Sequence, residues 1–186
     1  MPRDNSFIPQ NTDYTKLLVY QRAECIYALT YAFCEKFLNP KDRTVDQMVQ
    51  AARSGKQNIV EGMIDGNTSL EMKIKLLNVA RGSMHELLAD YEDFIISRRL
   101  SKWDKNDSRV SATRLFCRNH TDPSLFIKAV DVRPAETVAN IAITMIHQYD
   151  YLMLNLIESV KADFLNHGGI KEEMSRARRK RLDGNK

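Results

Sequence analysis

The residues best suited to chemistry in this 186-residue chain are its three cysteines and four histidines. Cys117 and His120 are separated by two residues, a gap that suits two zinc ligands, but no second Cys/His pair follows at a suitable spacing. His85-Glu86 starts like a metalloprotease motif, yet the second histidine that such a helix needs is Ala at position 89. The sequence therefore predicts no metal and no cofactor.

His147 and Asp150 are three positions apart and share one helix face, as a base and its orienting acid can. The sequence places no nucleophile beside them, so a histidine packed in the core or at an interface is the better interpretation. Cys25 and Cys34 lie on opposite sides of one helix and cannot bridge each other, which predicts buried thiols. With no Gly-rich phosphate loop either, we predict that the chain is not an enzyme.

Composition excludes several classes of protein. A hydrophobic fraction of 43% with seven Gly and five Pro fits one well-buried domain and excludes collagen-like or wholly disordered chains. Three cysteines are too few for a disulfide scaffold and indicate a reducing compartment. Because polar residues rather than an apolar segment follow Met1, we expect no secretory signal and a cytoplasmic location.

Four segments have helical periodicity and none has the alternation of a strand, which predicts an all-α protein. The predicted helices run from about Thr15 to Leu38, from Thr44 to Gly62 or Gly66, from Thr68 to Ser97, and from Pro134 to about Asn166. Asn39-Pro40 ends the first helix, and capping boxes at Thr44 and Thr68 begin the second and third. Four long helices favour an up-and-down four-helix bundle.

The fourth helix carries two apolar stripes where a helix of a lone bundle needs one. The first is Val138, Ala142, Met145, Tyr149, Leu152 and Leu156, and the second is Ala139, Ile143, Ile146, Met153 and Ile157. An ionised Asp150 near a bilayer centre would cost several kcal/mol, which argues against a membrane span. The second stripe instead predicts burial against another subunit, with coverage by the segment before this helix as the alternative.

That segment, residues 98–133, is far longer than the usual bundle connection of about 2–8 residues. Within it, Arg109 to Arg118 predicts a short helix, and Leu125-Phe-Ile127 supplies apolar anchors. We therefore divide the chain into a bundle domain, residues 1–167, with this insert between helices three and four, and a basic C-terminal extension, residues 168–186, ending in a frayed tail.

Positive charge is concentrated in the insert and the extension. Their net charges are +5 and +4, while the rest of the chain sums to −5. The candidate nucleic-acid-binding residues are Lys102, Lys105, Arg114 and Arg118 of the insert and Arg176, Arg178, Arg179, Lys180 and Arg181 of the extension. Such clusters are typical of phosphate contacts, and a merely solvated tail is the alternative. Trp103 and Phe116, among the insert cations, could stack on bases or anchor the insert.

Three ordered segments over about residues 16–97 resemble the bacterial four-helix bundle protein family. They are Leu17-Leu-Val-Tyr-Gln21, Gln50-Ala-Ala-Arg53-Ser-Gly-Lys-Gln-Asn58-Ile-Val-Glu61-Gly62 and Ala80-Arg81-Gly82-Ser83-Met-His-Glu86-Leu87. That family includes proteins encoded in intervening sequences of large-subunit ribosomal RNA genes and the accessory protein of diversity-generating retroelements. The insert and the extension resemble its longer variant, which carries a suffix domain.

The resemblance implies an up-and-down bundle assembled as a barrel-like homopentamer, with nucleic-acid binding and no enzymatic role. In the retroelement proteins the bundle works with a reverse transcriptase. Their barrel surface is basic whereas this bundle is net acidic, so we assign nucleic-acid contact to the insert and the tail. The alternative is a scaffold whose basic elements dock a protein partner.

The motif residues also predict a structural polar network. Arg81 falls on the apolar seam of the third helix, where an unpaired charge would be expensive. Glu61, near the end of the second helix, is a plausible ion-pair partner across a short turn. Arg53 and Asn58 could complete the network, and the small residues at Ser54-Gly55 and Gly82-Ser83 would let the two helices approach closely.

Overall fold

The computed structural model describes residues 13–65, 69–167, 174–176, 178–179 and 182. A 3-10 turn, Tyr14–Lys16, precedes α1 (Leu18–Phe37), α2 (Arg43–Asp65), α3 (Leu70–Ser97), α4 (Ser108–Asn119), α5 (Pro123–Val132) and α6 (Ala135–His167). No strand occurs among these residues, and the prediction of an all-α protein is confirmed.

The four long helices contact one another in a closed order, because α1 packs on α2, α2 on α3, α3 on α6 and α6 on α1. The two shorter helices join them from the insert, with α4 against α6 and α5 against α1 and α6. The largest fully buried side chains include Phe33, Tyr91 and Tyr149 of the long helices and Phe126 of α5. The insert therefore contributes to the same core as the long helices.

The helix N-termini use different capping residues from those predicted. The Asp42 carboxylate accepts a hydrogen bond from the Thr44 backbone N–H at 2.9 Å, so α2 begins before Thr44. Ser69, rather than Thr68, caps α3, since its hydroxyl oxygen accepts from the Met72 N–H at 3.2 Å. In both cases a residue one or two positions from the predicted cap supplies the side-chain acceptor that the first turn of a helix needs.

The ends of α2 and α3 follow from local backbone geometry. The helix α2 continues through Gly62 to Asp65, so Gly62 does not end it. A Cβ added at Gly62 would lie 3.3 Å from the Leu76 Cβ, which indicates that close approach of α3 favours glycine here. The helix α3 ends at Ser97 as predicted, and Arg99 reverses the chain with a φ of 55°.

Within the insert, the predicted helix from Arg109 to Arg118 corresponds to α4, which is one residue longer at each end. Of the predicted anchors, Phe126 is buried, Leu125 is half-buried and Ile127 is exposed. In the extension, residues 174–176, 178–179 and 182 have helical backbone geometry and exposed side chains. The rest of the tail predicted to be frayed lies outside the described residues.

Burial of α6 corrects the inference from its two apolar stripes. Every residue of the second stripe is at most 5% exposed in the single chain. Contacts with α1, α3, α4 and α5 surround α6, so the stripe needs no second subunit to cover it. The alternative, coverage involving the insert, accounts for the pattern. Among the described helices, none is both long and apolar enough to cross a membrane.

Candidate anion-binding site

Two cavities that share Arg114 and His147 lie along the contact between α4 and α6. One, of about 410 Å³, reaches α1 through Leu18 and Arg22, and the other, of about 430 Å³, reaches Lys102 and Lys105 before α4. We call the surface formed by Arg22, Lys102, Lys105, Arg114, Arg118 and His147 the basic groove. All four insert residues that the sequence analysis proposed for nucleic-acid contact line this groove.

The helix α4 sets the spacing of two groove cations. Its N-terminus is fixed by Asp107, whose carboxylate accepts a hydrogen bond from the Arg109 backbone N–H at 2.8 Å. Arg114 and Arg118 are four residues apart, so they lie one above the other on the same face of the helix. Both side chains are exposed, which leaves their guanidinium groups open to a ligand.

Arg22 is the buried cation of the groove. It lies on α1 at only 6% exposure and donates a hydrogen bond from Nη2 to the Cys117 backbone carbonyl of α4. Its Nε and Nη1 are buried with no hydrogen-bond partner, and no described carboxylate lies within salt-bridge distance. A buried charge without a counterion destabilises the folded protein. An anion bound beside the Arg22 guanidinium would therefore stabilise the fold.

Gln148 and His147 complete the wall contributed by α6. The Gln148 side-chain amide donates to the Arg114 carbonyl at 3.1 Å, while its Oε1 is buried without a partner. The pKa of His147 is lowered from its usual value, first by desolvation and then by the positive charge of Lys102. Neutral His147 therefore avoids adding a further charge to a groove that is already cationic.

The groove is not uniformly free of acidic groups. Lys102 forms an ion pair with Glu92 of α3, which neutralises part of its charge. Asp104 lines the cavity near Lys105 and accepts a hydrogen bond from the Asn106 N–H at 2.9 Å. The cavity at Arg22 differs, because none of its described lining residues is acidic. The Arg22 end therefore carries cations with no acidic residue in the described cavity wall.

The predicted polar network divides into two clusters. Arg81 pairs with Asp150 of α6 rather than with Glu61, and the distance from Arg81 Nε to Asp150 Oδ1 is 2.5 Å. His85 contacts the same carboxylate at 2.8 Å. Burial favours a raised pKa for Asp150, but the hydrogen bonds from Arg81 and His85 outweigh it and lower that pKa.

The second cluster joins α2 to α3 without any charge. The hydroxyls of Ser54 and Ser83 lie 2.9 Å apart, and the Asn58 side chain donates to Ser54 Oγ at 3.1 Å. Arg53 and Glu61, the other predicted members, are exposed. Arg81 and Asn58 therefore make helix-to-helix and intrahelical polar contacts in two separate clusters. The four predicted residues do not form one network.

The tail cations are described only in part. Arg176, Arg178 and Arg179 have exposed side chains, whereas Lys180 and Arg181 lie outside the described residues. The aromatic residues of the insert serve partly as anchors. The Trp103 backbone N–H donates to Asn140 Oδ1 at 2.7 Å, and the ring of Phe116 stacks on His120 with centroids 4.2 Å apart.

The other chemistry-bearing residues have structural surroundings. Cys25, Cys34 and Cys117 are buried free thiols, and burial raises the pKa of Cys25 and of Cys34 to about 12. Asp150 is bonded to Arg81 and His85 rather than to His147. In the described part of the chain, no group of three or more His, Cys, Asp or Glu side chains is arranged to hold a metal ion.

No protein-family model, curated protein or solved structure matches this chain. The site must therefore be interpreted from its own geometry. Arg22 is the groove residue that the sequence did not lead us to expect, although a signal was present. It follows Val19 by three positions and precedes Ile26 by four, which places a cation on the buried face of α1.

Proposed function

We propose that this protein binds the sugar–phosphate backbone of a nucleic acid through the basic groove and has no catalytic role. The observation that carries the proposal is Arg22, a buried guanidinium with two unpartnered nitrogens beside Arg114 and Arg118. Phosphate oxygens are strong acceptors that arginine binds well. The exposed cations on either side supply the nonspecific attraction that a polyanion requires.

The geometry supports contact with the sugar–phosphate backbone of a nucleic acid rather than with its base edges. The groove cations are spread along α4 and its preceding loop, which suits successive phosphates of one strand. Arg22 Nε and Nη1 are buried, so in this proposal a bound phosphate displaces the side chains that cover them. The tail cations add a second, weaker contact in this proposal.

The four long helices act, in the same proposal, as an up-and-down bundle that holds the insert rigidly against α1 and α6. A homopentamer, as the resemblance implies, would present five grooves and increase avidity without new contacts. Light scattering of the purified chain decides this point. A pentamer supports the avidity model, and a monomer limits binding to one groove and one tail.

Salt-dependent binding tests the groove directly. Fluorescence anisotropy would follow a labelled single-stranded RNA, and then the DNA of the same sequence, at increasing salt concentration. For the Arg114→Gln/Arg118→Gln variant, the log–log salt slope should shrink by about 1.4, since each lost phosphate contact on a single strand removes about 0.7. The matched control is Arg53→Gln/Lys75→Gln, because both residues are exposed on α2 and α3 away from the groove.

A second candidate, docking of an acidic or a polymerase-like protein partner such as a reverse transcriptase, is favoured by the apolar rim at the Arg22 end. Leu18 and Tyr151 line that cavity and are 60% and 67% exposed. Large apolar side chains around a buried arginine resemble the hot spot of a protein interface. A defined protein that co-purifies after nuclease treatment, together with an unchanged RNA salt slope in the groove variant, would favour this candidate.

A further inference from the structure

A third cavity, of about 430 Å³, lies between α4, α5 and α6 on a different face of α4 from the basic groove. We call it the aromatic cavity. Its walls are mainly apolar and include Trp103, Phe116, Leu125, Phe126 and Ile141. Arg109, Ala112, Thr113 and Phe116 reach it from one side of α4, whereas Arg114 and Arg118 belong to the other side. Trp103 also lines the groove cavity near Lys102, so the two sites adjoin at this residue but use different faces of α4.

Trp103 provides a donor without an acceptor. Its side chain is 9% exposed, and the indole Nε1 is buried with no hydrogen-bond partner. The Trp103 backbone N–H donates to Asn140 Oδ1, which holds the main chain of this residue against α6. An unsatisfied N–H in a mainly apolar wall is unfavourable, and a ligand that brings an acceptor into the cavity would satisfy it.

The charged groups around the aromatic cavity favour an anion. No described Asp or Glu lines the cavity, whereas Arg109 and Arg133 do. Arg109 is already neutralised by Asp107, at 2.6 Å between Arg109 Nη2 and Asp107 Oδ2, and it covers the Trp103 ring at 4.7 Å. Arg133 is exposed and forms no ion pair with the described carboxylates. Its positive charge is therefore available to a ligand.

We propose that the aromatic cavity binds a small aromatic carboxylate, with its ring against Phe116 and Ile141. One carboxylate oxygen accepts from Trp103 Nε1 and the other pairs with Arg133. A carboxylate fits better than a phosphate, because the cavity offers one buried donor and one free guanidinium rather than several cations. Because Arg109 is exposed and covers the indole ring, its side chain moves aside in this proposal as the ligand enters.

Nuclear magnetic resonance tests this assignment with one signal, since Trp103 is the only tryptophan in the chain. In isotope-labelled protein titrated with naphthoate, the single indole N–H resonance should move downfield and saturate. Naphthamide, which keeps the ring and removes the charge, should bind at least about tenfold more weakly, as expected for loss of a charge-assisted contact. No movement with naphthoate, or equal affinity for the two compounds, would overturn the proposal.

The Arg133→Gln variant checks the second contact. Its affinity for naphthoate should fall about tenfold, whereas the matched Lys128→Gln variant should bind like the wild type. Lys128 is also exposed on α5 but does not line the cavity. Unchanged binding in Arg133→Gln would refute the pairing, and an indole shift with uridine but not with naphthoate would indicate a nucleobase site instead. These results do not depend on whether the basic groove binds RNA.

Discussion

The side chain of Arg22 and the backbone carbonyl of Cys117 are 95 positions apart in the chain and are joined by a hydrogen bond from the guanidinium Nη2. This contact ties α1 to α4 at the base of the basic groove. It uses only one of the three guanidinium nitrogens, and the other two remain buried without partners. The helix α4 is thereby fixed to α1 at a point that retains unsatisfied positive charge.

Replacement of Arg22 by methionine should weaken nucleic-acid binding while it leaves the free energy of unfolding nearly unchanged. A buried charge without a counterion contributes little net stability to the folded state. Arg22→Met should therefore change the free energy of unfolding by no more than about 1 kcal/mol. Arg22→Ala, which leaves a cavity, should cost about 2 kcal/mol or more. Urea denaturation of both variants measures this. A loss of several kcal/mol in Arg22→Met would mean that Arg22 is mainly structural.

The protonation of His147 should depend on an anion in the groove. In the free protein its pKa is lowered by desolvation and by Lys102 and Arg114, against opposing effects of Glu92 and Asp150. A bound phosphate group favours the charged imidazole and raises the pKa of His147, so the affinity for a phosphodiester, whose own charge is constant in this range, should increase as the pH falls below neutrality. Titration of the histidine ring resonances with and without the phosphodiester checks this.

The variant His147→Gln is the control for that titration. It should retain phosphodiester binding at neutral pH, where His147 is largely uncharged, and lose the strengthening at lower pH. A free-state pKa for His147 that does not move when the phosphodiester is added would contradict the placement of the anion beside it.

Loss of the Asp150 carboxylate should destabilise the contact between α3 and α6. Asp150→Asn breaks a half-buried pair with Arg81 and should cost about 1 kcal/mol near neutral pH. Since the pKa of Asp150 is lowered in the folded state, its contribution is complete above about pH 4 and is lost as the pH falls through the folded-state pKa. Denaturation at several pH values measures the difference.

The exposed pair of Glu158 and Lys161 is the matched comparison for Asp150. Lys161 Nζ and Glu158 Oε1 are 2.7 Å apart, but both side chains are largely exposed. Glu158→Gln should therefore lower the free energy of unfolding by no more than about 0.5 kcal/mol. An equal cost for the two variants would show that burial adds nothing to the Asp150 contact.

Two glycines of similar sequence context should respond in opposite ways to alanine. A Cβ at Gly55 would lie 2.8 Å from Met84 Cγ, whereas a Cβ at Gly82 meets nothing within 4 Å. Gly82→Ala should therefore raise the free energy of unfolding by about 1 kcal/mol through helix propensity. Gly55→Ala should lower it, because Met84 is fully buried and has little room to move. Thermal denaturation of both variants decides the sign.

The hydrophobic periodicity predicted the positions of the helices better than it predicted which segments pack against them. It located the four long helices and the end of α3 at Ser97, because apolar spacing and breakers are local properties. It could not decide what covers the second stripe of α6, since an apolar face has the same pattern whether a subunit or the insert buries it. The neighbouring acceptors Asp42 and Ser69 were similarly missed, because several adjacent polar residues could each act as a cap.

The candidate site was predictable in part for a similar reason. Net charge identified the insert, and its four proposed cations do line the groove. Arg22 was missed because one arginine among apolar residues of α1 does not change the charge of a segment. Likewise, Arg81 was expected to need a carboxylate, but only the packing of α3 on α6 selects Asp150 rather than Glu61.

The most direct test of the basic groove is the affinity of the Arg22→Met variant for a labelled single-stranded RNA at low salt, measured by anisotropy. Our account predicts a folded variant whose affinity is about tenfold lower than that of the wild type, as expected for loss of one buried arginine–phosphate contact. The matched Arg53→Met variant should bind like the wild type. Equal affinity of Arg22→Met and the wild type, or no RNA binding by either, would contradict the central claim.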